Sequence, residues 1–227
     1  YPKLQKSLQE LIKNKLTTVQ RLELSSDYIT EGHALKGVLK ADMENIRSTM
    51  EKIDYNTFED VVNNIFSAKR IYIIGLRSSM ALAEFLGFYL NIILQNVKTV
   101  GYGISDIFEQ MINVGEGDLV IGIGFPRYAS RTIDALAFAQ DRSATVVAVT
   151  DSFLSPLAAR ADYSLIAQSN MASFVDSLVA PLSVINALII AVGMREKENI
   201  SSTFNSLEEI WREYNVYSYN NRNVGDD

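Results

Sequence analysis

The sequence of 227 residues contains no cysteine and a single histidine, His33. Without thiols there is no disulfide, no thiolate nucleophile and no cysteine-based zinc site, and one imidazole cannot build a histidine cluster, so no metal is expected. Long hydrophobic runs are also missing. The longest, Leu178 to Met194, carries Pro181, Ser183 and Asn186, and crossing a bilayer takes about 20 apolar residues. That run is expected as a buried helix, with no membrane partner. An excess of positive charge is absent too: the net charge of −6 argues against a chain whose whole surface binds nucleic acid. Neither a Gly-x-Gly-x-x-Gly turn nor a Walker motif occurs, which disfavours dinucleotide and ATP binding, and no cofactor is expected. The sequence begins Tyr1-Pro2-Lys3, without an initiator methionine or a signal peptide, and reads as a fragment or processed form of a cytoplasmic protein.

What is present is an ordinary globular balance, 48% hydrophobic and 21% charged, enough for one real core with appendages. Charge is unevenly spread. Lys3, Lys6, Lys13, Lys15 and Arg21 stand against Glu10 alone at the start, while acids dominate residues 198–227. The basic start is either a solvated helix face or the neighbour of something that touches phosphates.

Helical spacing is legible in Leu4, Leu8, Leu11, Ile12 and Leu16, after a proline suited to a first turn. Residues 22–32 read as a linker, followed by a helix from about His33 to Ile53 and a third helix capped by Asn56 or Thr57. The rhythm then changes. Residues 70–75, 118–124 and 144–150 are short, β-branched apolar runs, with 98–100 and 162–166 as weaker candidates. Helical segments are expected at about 78–95, 105–113, 128–141, 155–160 and 176–197. This alternation predicts an α/β fold: a doubly wound, five-stranded parallel sheet flanked by helices, flavodoxin-like, and preceded by N-terminal helices. Ligands of such sheets sit beyond the carboxyl ends of the strands, where strand order reverses.

Two strand-to-helix loops carry the chemistry. In Gly75-Leu76-Arg77-Ser78-Ser79 a glycine permits a close approach, and two serines add hydroxyls to the unpaired N–H groups of a helix start, which suits an anion. A plain helix cap is the other reading of Ser78 or Ser79. In Gly124-Phe125-Pro126-Arg127-Tyr128-Ala129-Ser130-Arg131-Thr132, two arginines offer forked donors matched to phosphate or carboxylate. The expected ligand-binding residues are Gly75, Arg77, Ser78, Ser79, Gly124, Arg127, Tyr128, Ser130, Arg131 and Thr132, and no catalytic residue is expected. An aldose–ketose isomerase would need a base. Glu84 reads better as a solvated helix residue, Asp176 as a helix cap, and His33 lies outside the expected core.

Ile73-Ile74-Gly75-Leu76-Arg77-Ser78-Ser79, with Ala83 beyond it, resembles the first signature of the SIS (sugar isomerase) domain, in which this turn holds a substrate's phosphate. The likeness runs on through Asp118–Gly124, Ala144–Asp151, Ser155–Ala158 and Ala161-Asp162, over about residues 60–195. Tyr1-Pro2-Lys3-Leu4-x-x-Ser7-Leu8 looks like the closing helix of the helix-turn-helix domain that precedes SIS in RpiR-type (MurR/RpiR) transcriptional regulators, and the helix at 33–53 resembles their linker helix. The resemblance implies four segments: 1–21, the end of a helix-turn-helix domain; 22–54, linker and linker helix; 55–200, an SIS effector-binding domain; and 201–227, a C-terminal helix and tail. It further implies a homodimeric bacterial regulator, or a higher oligomer, that reads DNA through the preceding domain and responds to a sugar phosphate or similar anion. A sugar-phosphate isomerase of the same fold is the alternative. One departure stands out. SIS domains commonly follow the third strand with Ser-x-Ser-Gly-x-Thr, and this sequence has Gly124, Pro126, Arg127 and Ala129 there, so those three hydroxyls are missing and Arg127, Tyr128, Ser130, Arg131 and Thr132 are the candidate replacements, for a phosphate, a carboxylate or another anion.

Overall fold

The computed structural model describes residues 17–25, 34–171 and 174–218. The helix expected over residues 4–16 and His33 lie outside the described residues. Two helices come first, α1 (Thr18–Ser25) and α2 (Ala34–Lys52), then α3 (Tyr55–Ser67). A β/α alternation follows: β1 (Ile71–Ile74), α4 (Met80–Leu94), β2 (Val97–Val100), α5 (Ile107–Gln110), β3 (Leu119–Ile123), α6 (Ser130–Gln140), β4 (Thr145–Thr150) and β5 (Tyr163–Ile166). Two helices, α7 (Val179–Arg195) and α8 (Lys197–Glu213), close the described chain.

The five strands pair in the order β2-β1-β3-β4-β5, all parallel, with Ile71 opposite both Val97 and Leu119. The chain moves from β1 outward to β2, then returns across β1 to place β3 on its other side. The switch point therefore lies between β1 and β3. Residues of β1, β3 and β4 are buried almost without exception because both faces are covered. On one face Ile71, Ile73, Ile121 and Val147 pack against α3, α4 and α7. On the other Tyr72, Ile74, Val120 and Val146 meet α5 and α6. Each fully buried Ile or Leu contributes about 1.5–3 kcal/mol of transfer free energy. At the amino ends of the strands, Asp118 accepts from Arg70 Nε at 3.0 Å and Nη2 at 2.7 Å, and from the Gly115 N–H at 2.9 Å. This pair clamps β1 to β3 at the end of the sheet away from the switch-point loops.

Several boundaries differ from expectation. Residues 22–25 continue α1 instead of starting the linker. The N-cap of α3 is Asp54, whose carboxylate accepts from the Asn56 and Thr57 N–H groups, so the cap falls earlier than Asn56 or Thr57. The expected helix at 105–113 shrinks to one turn, opened by Asp106 and Glu109 in a reciprocal capping box. Residues 158–160 form a 3-10 turn. Residues 176–178 precede α7, and α8 straddles the boundary expected at 200/201. Among the described residues no single helix is long and apolar enough to cross a membrane.

Helix α2 is bolted to the segment that follows β5. Asn45 is buried and exchanges bonds with Asn170: its Nδ2 donates to the Asn170 carbonyl at 2.9 Å, and its Oδ1 accepts from the Asn170 N–H at 3.2 Å. The Thr49 hydroxyl accepts from the Gln168 N–H at 2.8 Å, and Ser177 donates to Asp42 at 2.6 Å. These bonds make α2 part of the same body as the sheet.

Candidate functional site

The loops leaving β1 and β3 diverge at the switch point and leave a cavity of about 650 Å³ between them. The β1 loop is fixed at Gly75. A Cβ there would come within 2.6 Å of the Ser79 carbonyl oxygen and 3.2 Å of the Ala83 Cβ. Neither can yield, because the first is backbone and the second sits in α4. The glycine itself does not line the cavity; it allows Arg77, Ser78 and Ser79 to do so. Arg77 has φ 58°, a left-handed conformation that a residue with a Cβ adopts at a cost. Its 3-10 turn, Arg77–Ser79, runs straight into α4. Ser79 is buried and stands at the N-cap of α4 without a side-chain cap bond, so capping does not explain it.

The β3 loop repeats this design. Gly124 donates its N–H to the Val149 carbonyl at 3.1 Å, and a Cβ there would meet Leu157 at 2.7 Å. Phe125 turns into the core, and Arg127 then takes φ 63°. Both strand ends at the switch point thus present an arginine in a left-handed turn. The N-cap of α6 is Ala129, whose methyl cannot accept a hydrogen bond, so no side chain caps the start of this helix, whose first three residues line the cavity. Ser130 and Thr132 line the cavity, and the buried Thr132 hydroxyl has no hydrogen-bond partner.

The other two polar side chains of this loop are already engaged. Tyr128 lines the cavity and donates its hydroxyl to Asp151 at 2.8 Å. Arg131 pairs with Asp106, and its guanidinium lies 4.8 Å from the centre of the Phe108 ring. Gly124, Arg127, Tyr128, Ser130, Arg131 and Thr132 are therefore brought to one wall, opposite Arg77, Ser78 and Ser79.

Sequence reasoning missed the third wall. Phe174, Val175, Asp176 and Leu178 approach from before α7, and Arg21 reaches in from α1. Asp176 is not the cap of α7, whose N-cap is Leu178. Instead both its oxygens accept from Arg21 Nη1, at 3.0 and 3.1 Å. Burial pushes the Asp176 carboxyl above the usual range, against the opposing pull of the Arg21 and Arg127 guanidinium charges. Arg21 is 2% exposed. Nothing local in the sequence ties residue 21 to residue 176. The cavity carries arginines at 21, 77, 127 and 131 against one lining acid, Asp176, an environment that favours an anion. Glu84 is exposed on α4 and does not line it. No group of three metal-binding side chains occurs among the described residues.

Comparison with known proteins places this geometry in context. A family model described as SIS domain matches residues 64–191. An uncharacterized HTH-type transcriptional regulator from Haemophilus influenzae is 28% identical over 182 residues, 78% of this chain and 62% of that protein. The chain thus spans less than two thirds of that relative's length. The sugar isomerase domain of an RpiR transcription factor from Sphaerobacter thermophilus matches with a TM-score of 0.74 at 29% identity, covering 78% of this chain and 99% of that one. The Vibrio vulnificus NanR protein complexed with ManNAc-6P shares the fold, with a TM-score of 0.69 at 18% identity over 87% of this chain and 74% of that one.

Proposed function

The chain belongs to the SIS domain family and resembles, within it, the domain of RpiR-type transcriptional regulators; on that premise we propose that it is the effector-sensing part of such a regulator, binding a sugar phosphate or similar anionic carbohydrate without turning it over. The observation that carries this reading is the convergence at the switch point. Two helix starts without side-chain caps and two left-handed arginines face one cavity, which gives a phosphate both backbone N–H donors and fixed positive charge. A ligand of sugar-phosphate kind is consistent with the complex formed by the NanR protein of the same fold.

The cavity also has a route outward. Its third wall includes Asp176, and the next residue, Ser177, is bonded to Asp42 on α2. Effector binding would shift this wall, and with it α2, which precedes the SIS core in the way a linker helix joins a sensing domain to a DNA reader. DNA would be contacted through a helix-turn-helix domain, in a homodimer or higher oligomer working in the cytoplasm. The isomerase reading needs a base near the ligand. The acid lining this cavity, Asp176, has both oxygens held by Arg21, which suits positioning better than proton abstraction.

The test is thermal. Sugar phosphates at about a hundred times their Kd stabilise the folded chain by about 2.7 kcal/mol, a rise in Tm of several degrees, and are recovered unchanged. Arg127→Ala and Ser79→Ala abolish the rise while the variants remain folded. Isomerisation of a hexose or pentose phosphate at enzymatic rates refutes the sensor and installs the isomerase.

A further inference from the structure

Arg21 is an odd residue to find at this site. It belongs to α1, outside the region matched by the SIS family model, yet it lies in the wall of the cavity and is almost wholly buried. Burying a guanidinium is costly unless its donors are used. Asp176 uses Nη1 for both of its oxygens, in place of the two-pronged grip by which a carboxylate usually engages arginine. The Nε donor is left buried with no partner. Across the same cavity the Thr132 hydroxyl is buried and equally without a partner. Buried polar atoms are nearly always satisfied, so each exception in a residue that lines a cavity calls for an explanation, and a bond from a bound group is one. Asp176 therefore does two things. It compensates part of the charge that α1 brings inside, and it fixes the guanidinium with its Nε edge unspent.

We infer that Arg21 is an anion contact of this cavity, delivered by α1 and held in position by Asp176, so that a bound phosphate monoester bonds the Nε edge and fastens α1 to the SIS core. The inference rests on the sensing role proposed above and deepens it. The ligand is read by the helix that precedes the linker as well as by the two strand-end loops. Filling the cavity and fixing α1 then become one equilibrium. A ligand adds an attachment for α1 beyond the Asp176 pair, and a fixed α1 improves the site by the same factor, as linkage requires. Charge alone is insufficient for this role. A lysine at position 21 keeps the cation but lacks the planar fork that lets one edge face Asp176 and another face the phosphate.

The experiment uses the whole 227-residue chain with two probes, inorganic phosphate and glucose 6-phosphate, read by calorimetric titration and by amide hydrogen exchange. The expected results are that glucose 6-phosphate slows exchange across Thr18–Ser25, and that Arg21→Ala and Arg21→Lys each weaken binding of both probes by about tenfold or more. Unchanged affinity in Arg21→Ala overturns the inference. So does unchanged exchange in α1 of the wild-type chain when glucose 6-phosphate is bound, a readout that decides the matter even if the variants fail to fold. Full rescue by lysine reduces Arg21 to a point charge and overturns the Nε contact. Should neither probe bind the wild-type chain, the sensing role falls together with the inference; binding that is indifferent to Arg21 leaves the sensing role standing and removes only this contact.

Discussion

Arg127 holds φ 63° at the carboxyl end of β3, and glycine placed there should make the protein more stable than alanine does. The left-handed conformation costs an L-residue about 1–2 kcal/mol. Glycine escapes that cost but has more freedom to lose on folding, which returns about 0.4–1 kcal/mol. The difference leaves Arg127→Gly about 0.5–1 kcal/mol more stable than Arg127→Ala, or roughly 1–4 °C in Tm for a chain of this size. Comparing these two variants with each other removes the guanidinium from both, so every contact it makes cancels and the backbone term is isolated. Scanning calorimetry and urea denaturation measure it. Ser143, in the turn between α6 and β4, has φ 61° and lies outside the cavity lining. Its Gly and Ala variants should show the same spread with no change in glucose 6-phosphate binding, whereas both Arg127 variants lose that binding. If Arg127→Ala proves as stable as Arg127→Gly while Ser143 shows the spread, the loop relaxes freely and the arginine is not held under strain at the site.

The buried Thr132 hydroxyl has no hydrogen-bond partner within the chain, and an unsatisfied buried group costs about 1–3 kcal/mol. Thr132→Val should therefore raise the stability of the free protein by about 1 kcal/mol in urea denaturation while weakening glucose 6-phosphate binding; a loss of stability would mean that the hydroxyl is satisfied. Asp54 caps α3, and its carboxyl lies below the usual range because the Thr57 hydroxyl donates to it, reinforced by the Thr57 N–H. A depressed folded-state pKa contributes stability above the unfolded value and loses it as pH falls through the folded one. Asp54→Ala should thus lower Tm at neutral pH, with the difference from wild type narrowing below pH 4; a constant difference would make the cap independent of charge.

The central strands are legible because their burial on both faces demands apolar, β-branched residues throughout: Ile71–Ile74, Leu119–Ile123 and Thr145–Thr150 contain little else. The edge strands β2 and β5 are weaker signals for the complementary physical reason. Lys98 is exposed and Tyr163 and Ser164 are half-buried, so their pattern is diluted. Helix limits are less legible than helices. Met111, Ile112 and Val114 continue an apolar pattern past the end of α5, but they form a turn in which Met111 and Val114 pack under β1 and β3, Ile112 is exposed, and the Asn113 carbonyl accepts from Arg70. The β1 and β3 loops could be identified from glycine followed by donors at a strand end, which is a local code. Arg21 and Asp176 have no such code. Their pairing spans 155 positions and depends on α1 folding back over the carboxyl edge of the sheet.

That pairing belongs to a pattern across the site. Three donors that line the cavity are held by acids of the same chain: Arg131 by Asp106, Tyr128 by Asp151, Arg21 by Asp176. Unrestrained, so many donors around one cavity would attract any anion, chloride and free phosphate included. With internal carboxylates as standing competitors, an incoming anion must exceed them in geometry as well as in charge. On the proposed role, three oxygens on one phosphorus, each able to take a separate donor, would meet that condition better than a spherical ion does. On the sensing role proposed above, this wall would grip an anion through donors gated by the chain's own acids.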